Sequence, residues 1–241
     1  MVKWTDVGTL GYREAWQLQQ TLMGKLKAEA PTEDSVSGYL LLVEHPHVYT
    51  LGRNGNRSNM LASAAQLKAR QAELVEVDRG GDITYHGPGQ LVVYPILRLG
   101  DLGTGVREYV RRLEEVVVRT VGAYGVAGGR MEKAAGVWLD AATPAARKIC
   151  AIGIRCSRGV TMHGFALNVS TDLTCFGDIN PCGFADRGVT SLEKETGRKV
   201  DMEGVKTLIR QHFSDVFGVT LREEILNFES SSQTPKMFFG E

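Results

Sequence analysis

The chain has 241 residues, with 28 basic and 28 acidic side chains, 43% hydrophobic and 23% charged residues. That length can bury a substantial core as one domain. The zero net charge without a basic stripe argues against a nucleic-acid partner. No apolar run approaches the ~18 residues of a membrane span, and the stretch from Met1 to Asp6 lacks signal- or transit-peptide character. A cytoplasmic protein without membrane attachment is expected.

Apolar residues at Tyr12, Ala15, Leu18, Leu22 and Leu26 predict an amphipathic helix from Gly11 to Glu29. Strands follow at Tyr39 to Glu44 and His47 to Leu51, then a loop from Gly52 to Asn59. Ser63 reads as the N-cap of a short helix through Ala72. Strands at Leu74 to Val77 and Leu91 to Leu97 flank a twelve-residue segment. The clearest helix runs from Gly105 to Tyr124, with Tyr109, Leu113, Val116, Val117 and Val121 along one face. Strands at Gly136 to Asp140, Lys148 to Ile154 and Val160 to Val169 precede a last helix from Met202 to Phe217. Short connections between many of these strands predict an α+β fold, a mixed and largely antiparallel sheet flanked by helices. Residues 1–228 read as one domain and residues 229–241 as a loosely ordered C-terminal extension.

The twelve residues are Arg79-Gly80-Gly81-Asp82-Ile83-Thr84-Tyr85-His86-Gly87-Pro88-Gly89-Gln90. A hairpin needs only two to five connecting residues, so this segment exceeds what geometry asks. Its glycines permit close approach of backbone to a ligand, and Arg79 and His86 offer charge and proton-handling groups. Further on, Gly153 interrupts the strand that begins at Lys148, and Gly164 and Ala166 lie beside His163 in the next strand. Two readings stay open: the floor of a narrow apolar pocket, or tight packing against a helix.

Four cysteines stand at 150, 156, 175 and 182, without the spacing of a structural zinc site. Cys150 falls in an apolar strand, whereas Cys182 lies between Pro181 and Gly183, a loop setting that favours exposure. A thiol at its reference pKa of about 8.5 is only a few per cent thiolate at neutral pH and needs an activator. Lys148 is a candidate, because an ammonium about 4 Å away shifts a thiol by roughly three pKa units at an effective dielectric near 20.

Together these segments resemble the lipoyl(octanoyl) transferase family. The matching residues are Arg79 to Gln90, Lys148 to Gly153, Met162 to Asn168, Pro181-Cys182-Gly183 and Gly188 to Leu192, with Glu44-His45-Pro46, Tyr49 to Arg53 and Gly136-Val137-Trp138. The resemblance implies the biotin/lipoate protein ligase fold and transfer of an octanoyl group from octanoyl-acyl carrier protein to a lysine of a lipoyl domain. The implied acceptors are lipoyl domains of 2-oxoacid dehydrogenase complexes and the glycine cleavage H protein. Cys182 is the implied nucleophile, carrying a thioester, and Lys148 its partner. The implied substrate pocket comprises Arg79, Gly80, Gly81, Asp82, Ile83, Thr84, Tyr85, His86, Ala151, Ile152, Gly153, Gly164, Phe165 and Ala166. His86 and His163 are polar-wall candidates or structural histidines; His45 and His47 read as structural. Backbone N–H groups at Gly80, Gly81 or Gly183 are candidate donors to the thioester oxygen. No cofactor or metal is expected, since the acyl donor arrives activated.

Three departures stand out: Cys150 where many members carry alanine, Phe184 where an aliphatic is common, and a segment after Phe228 without a counterpart. Phe184 is expected to narrow the pocket. An ATP-dependent ligase of the same fold is the main alternative. The triple-glycine segment with flanking arginine and serine of lipoate ligases is replaced here by His86-Gly87-Pro88-Gly89-Gln90. A non-catalytic acyl-binding module is the second alternative, and would not need both Lys148 and Cys182.

Overall fold

Residues 39–43 and 91–97 are apolar almost without interruption, the pattern of strands covered on both faces rather than one. The computed structural model describes residues 1–29, 36–180 and 187–225, and the backbone of two short strands at 227–228 and 237–238. Its elements in chain order are β1 (Val2–Thr9), α1 (Tyr12–Ala28), β2 (Gly38–Glu44), β3 (Val48–Leu51), α2 (Ala64–Ala69), β4 (Glu73–Glu76), β5 (Ile83–His86), β6 (Gln90–Leu97), α3 (Val106–Gly122), β7 (Gly129–Met131), β8 (Ala134–Leu139), β9 (Arg147–Ser157), β10 (Val160–Asn168), β11 (Gly188–Val189), α4 (Leu192–Thr196), α5 (Met202–Phe217) and β12 (Leu221–Glu223). The strands Asn227–Phe228 and Met237–Phe238 pair with each other, antiparallel.

The large sheet has the order β12-β1-β2-β6-β10-β9-β8-β7, with β11 added beside β9. Pairings from β2 through β7 are antiparallel; β1 is parallel to both β2 and β12, and β11 is parallel to β9. The mixed, largely antiparallel sheet expected from the sequence is therefore present. β1 was not foreseen, because V-K-W-T-D-V-G-T alternates poorly. It pairs through a β1–α1–β2 crossover, as parallel neighbours require, and β3–α2–β4 is a second such crossover among the described residues.

Helices cover both faces of the sheet. Tyr109, Leu113, Val116, Val117 and Val121 of α3 and Val205, Ile209 and Phe213 of α5 pack on Leu42, Leu91, Val93, Phe165 and Leu167. On the opposite face Ala15, Leu18, Leu22, Met23 and Leu26 of α1 cover Tyr39, Leu41, Val92, Ile96, Met162 and Ala166. Each fully buried side chain of this kind contributes about 1.5–3 kcal/mol, so Leu113→Ala alone should cost about 2–5 kcal/mol. Among the described residues, no helix is long and apolar enough to cross a membrane.

Chain punctuation matches element ends closely. Ser63 does cap α2, in a reciprocal capping box with Gln66, although the helix stops at Ala69 instead of Ala72. α5 begins after Asp201, whose carboxylate accepts from the Gly204 N–H at 2.8 Å, and ends at the left-handed Gly218. The twelve-residue segment differs from expectation. Its centre, Ile83–His86, is a strand that pairs antiparallel with β3, and β4 completes a second sheet of order β4-β3-β5. Ile83, Thr84 and Tyr85 are β-branched or aromatic and so suit the place beside β3, whose pairing makes this segment a strand.

Candidate functional site

A cavity of about 840 Å³ lies on the α1 side of the large sheet, roofed by β5 and the residues leading into it. Side chains of a strand point alternately to its two faces. Met162 and Ala166 of β10 accordingly face α1, and Phe165 and Leu167 face α3 and α5. On the cavity side the register sets Ala151 opposite Ala166 and Gly153 opposite Gly164. All four line the cavity, as do Ile152 and Phe165. Both glycines line the cavity and both pack closely, but against strand and loop backbone, not against a helix. A Cβ on Gly164 would collide with the Val93 carbonyl and reach 2.6 Å from Pro95 Cδ; on Gly153 it would reach 2.9 Å from the Gly80 carbonyl. The missing side chains thus admit neighbouring backbone and keep the floor low.

Arg79, Gly80, Gly81, Asp82, Ile83, Thr84 and His86 line the roof. Tyr85 does not: its ring packs away from the cavity, 5.3 Å from Tyr49 and 5.4 Å from Phe176. Arg79 is buried and acts as an internal strut. Its Nη2 donates to the Thr50 carbonyl at 2.6 Å and to Thr50 Oγ1 at 2.8 Å, and its Nη1 donates to the Gly80 carbonyl at 3.0 Å. The Gly80 N–H donates to the Ile154 carbonyl at 2.9 Å, so it is not available as an oxyanion donor. Gly81 takes the left-handed conformation at φ +88°, which explains glycine there.

The histidines divide by environment. His86 Nδ1 donates to Gln90 Oε1 at 2.7 Å, and burial lowers its pKa to about 3. It stays neutral and structural, not a proton carrier near pH 7. His45 is likewise held, donating from Nδ1 to the Leu10 carbonyl and accepting from the Tyr94 hydroxyl at Nε2, each at 2.7 Å; burial lowers it to about 4. His163 lines the cavity in a left-handed backbone conformation, φ +59°, a strained state for a residue with a Cβ. Its Nε2 donates to Asp78 Oδ1 at 2.8 Å, and Asp78 also pairs with Arg155. Burial lowers the His163 pKa, so this contact is a hydrogen bond from neutral imidazole to an ionised carboxylate.

Lys148 lines the cavity with its ammonium 4.5 Å from the centre of the Trp138 ring. Burial disfavours its charged form and lowers its pKa to about 8. Cys150, two residues on, is fully buried, and burial pushes its thiol far above the ordinary range, leaving it inert. Cys182, with Gly183 and Phe184, lies outside the described residues. On either side of that segment Ile179, Asn180, Arg187, Gly188 and Val189 all line the same cavity.

The lipoyl protein ligase A/B catalytic domain model matches residues 11–214. An octanoyltransferase of Bacteroides fragilis (strain YCH46) is 55% identical over 202 residues, covering 84% of this chain and 91% of the relative. This chain belongs to the lipoyl protein ligase A/B catalytic domain family. An octanoyltransferase of Flavobacterium johnsoniae is 49% identical, covering 88% of this chain and 94% of that one. The fold is also that of a lipoate-protein ligase A solved with bound ATP: TM-score 0.72 at 15% identity, covering 92% of this chain and 87% of the other. Several contributors to this family member's cavity escaped sequence reading, two tyrosines among them. Tyr12 and Tyr94 line it from α1 and β6, and looked like ordinary core aromatics. Asp78 follows a strand as any loop acid does, and its link to His163 spans 85 positions.

Proposed function

We propose that the chain moves an octanoyl group from octanoyl-acyl carrier protein to a lysine of a lipoyl domain, through a thioester on Cys182. The observation that carries this is Lys148, an amine buried on the wall of the cavity and titrating at about 8. Residues on both sides of the Cys182 segment line that same wall, and near relatives are named octanoyltransferases.

In the first half-reaction Lys148 takes the Cys182 proton. The thiolate attacks the octanoyl thioester carbonyl, and the pantetheine sulfur leaves with the carrier protein, recovering a proton. In the second, Lys148 accepts a proton from the incoming lysine amine, which attacks the acyl carbonyl and expels the Cys182 sulfur. An eight-carbon acyl chain occupies only a fraction of the 840 Å³ cavity, leaving room for a pantetheine arm or a lysine side chain. The acyl chain lies along the floor of Ala151, Gly153, Gly164 and Ala166, under the roof of residues 79–86. Residues 1–228 form one catalytic domain. The acceptors are lipoyl domains of 2-oxoacid dehydrogenase complexes and the glycine cleavage H protein, modified in the cytoplasm.

The test is to mix the protein with octanoyl-acyl carrier protein without ATP and measure its intact mass. One octanoyl adduct, mapped to Cys182 and discharged by a lipoyl domain, is expected. Absence of the adduct, with ATP-dependent use of free octanoate, would establish a ligase instead.

A further inference from the structure

Lys148 reaches the cavity because β9 carries one extra residue opposite β8. Gly136 pairs with Ala151 and Val137 with Cys150, but Trp138 then pairs with Lys148, leaving Ile149 without a cross-strand partner. Ile149 and Cys150, although successive, both pack in the α3–α5 core, as a β-bulge requires. Partners directly opposite each other in an antiparallel ladder share a face. In an unbroken register Trp138 would stand against Ile149. Lys148 would then join Leu139, which packs in that same core. A one-residue slip exchanges the faces of a strand, and here it brings Lys148 to the cavity beside Trp138.

The ring that receives it is fixed. Trp138 is 1% exposed, and its indole N–H donates to the Ala134 carbonyl at 3.1 Å. The Lys148 ammonium stands over that ring at 4.5 Å, within the range of about 6 Å at which an aromatic face attracts a cation.

We propose that Trp138 is the positioning residue for Lys148: its indole face holds the ammonium at the cavity wall and favours the charged form against burial. This rests on the role of Lys148 in acyl transfer given above. The chemistry suits a lysine that must alternate between charge states. A carboxylate in the place of the ring would pin the amine in its protonated form. An aromatic face carries no net charge, so it orients the cation yet lets the proton leave.

The test compares Trp138→Leu, Trp138→Met and Trp138→Phe with the natural protein. Competitive acetylation of Lys148 with acetic anhydride across a pH series, read on its peptide by mass spectrometry, gives the lysine pKa without any acyl substrate. Leu should lower that pKa by about half to one and a half units, with Phe falling between Leu and Trp. Met, whose unbranched side chain adapts to an irregular space, replaces Leu if Leu does not fold. In steady-state transfer the non-aromatic variants should lose about tenfold in kcat with little change in KM, and their pH–rate limb should move by the same amount as the lysine pKa. Phe should stay within a few-fold of the natural protein. An unchanged Lys148 pKa in a folded Leu or Met variant overturns the proposal, as does a Phe variant as impaired as Leu. A shifted lysine pKa in a protein that takes no octanoyl group supports the pairing and rejects the transferase reading separately.

Discussion

Replacing Lys148 probes the chemistry most directly. Burial brings its pKa from the ordinary 10.5 to about 8. At pH 7 roughly one molecule in ten then carries the neutral amine, against about one in 3,000 for an unperturbed lysine, a gain of about 300-fold in available base. Transfer limited by this base should rise about tenfold between pH 6 and 7 and level off above pH 8. Lys148→Ala should lose about 10² to 10⁴ in rate and the limb near pH 8 with it. Lys148→Arg keeps a positive charge but cannot readily release a proton. It should preserve much of any lowered thiol pKa at Cys182, measured by iodoacetamide alkylation, while failing to pass octanoyl to the acceptor amine. Rapid-quench mass spectrometry of the acyl enzyme and of the octanoylated lipoyl domain resolves the two half-reactions. If Lys148→Ala keeps both the rate and the limb, Lys148 is not the base.

Cys182→Ala should abolish the octanoyl adduct, whereas Cys150→Ala should retain most activity because that thiol is buried and protonated; an adduct mapped to Cys150 would reverse the assignment. Gly164→Ala should lower the melting temperature sharply, since its Cβ meets the Val93 carbonyl and Pro95 Cδ and overpacking of a core costs about 1–3 kcal/mol or more; an unchanged melting curve would mean that β6 and β10 yield easily. Burial holds His45 and His86 neutral with folded values of about 4 and 3, below the ordinary 6.5. The unfolded chain therefore takes up protons first as pH falls below 6.5, and stability present at pH 7 is lost toward pH 4. By pH 5 each should cost about 2 kcal/mol, visible as a lower urea midpoint. Equal midpoints at pH 7 and pH 5 would contradict it. The Asp78 pKa is lowered chiefly by its hydrogen bond from His163, so the stability this carboxylate adds is present above about pH 4 and lost as pH falls through the lower folded value. Asp78→Asn should flatten that acid limb of the urea midpoint, and an unaltered limb would assign it to other groups.

Much of this protein was legible from the chain itself. The stripe from Tyr109 to Val121 can be buried only on one side of a helix, and α3 and α5 appear where that periodicity sets them. Ser63 caps the helix it precedes, because capping is decided within four residues. The small residues of β9 and β10 and the Arg79-Gly80-Gly81 turn marked a place of close approach, and they meet at one cavity. Tertiary structure alone decided what approaches what. The Gly80 backbone crosses Gly153, and β6 presses on Gly164. Ile83–His86 becomes a strand because β3 offers it a partner, although its flanks read as loop. Asp78, two residues past the end of β4, meets His163, 85 positions away, only in the folded chain. Lys148 faces the cavity because of a single unpaired residue in a ladder. Local rules run over a few residues and are written in the sequence. Strand register depends on pairing between distant segments, where one residue of slip exchanges core for site.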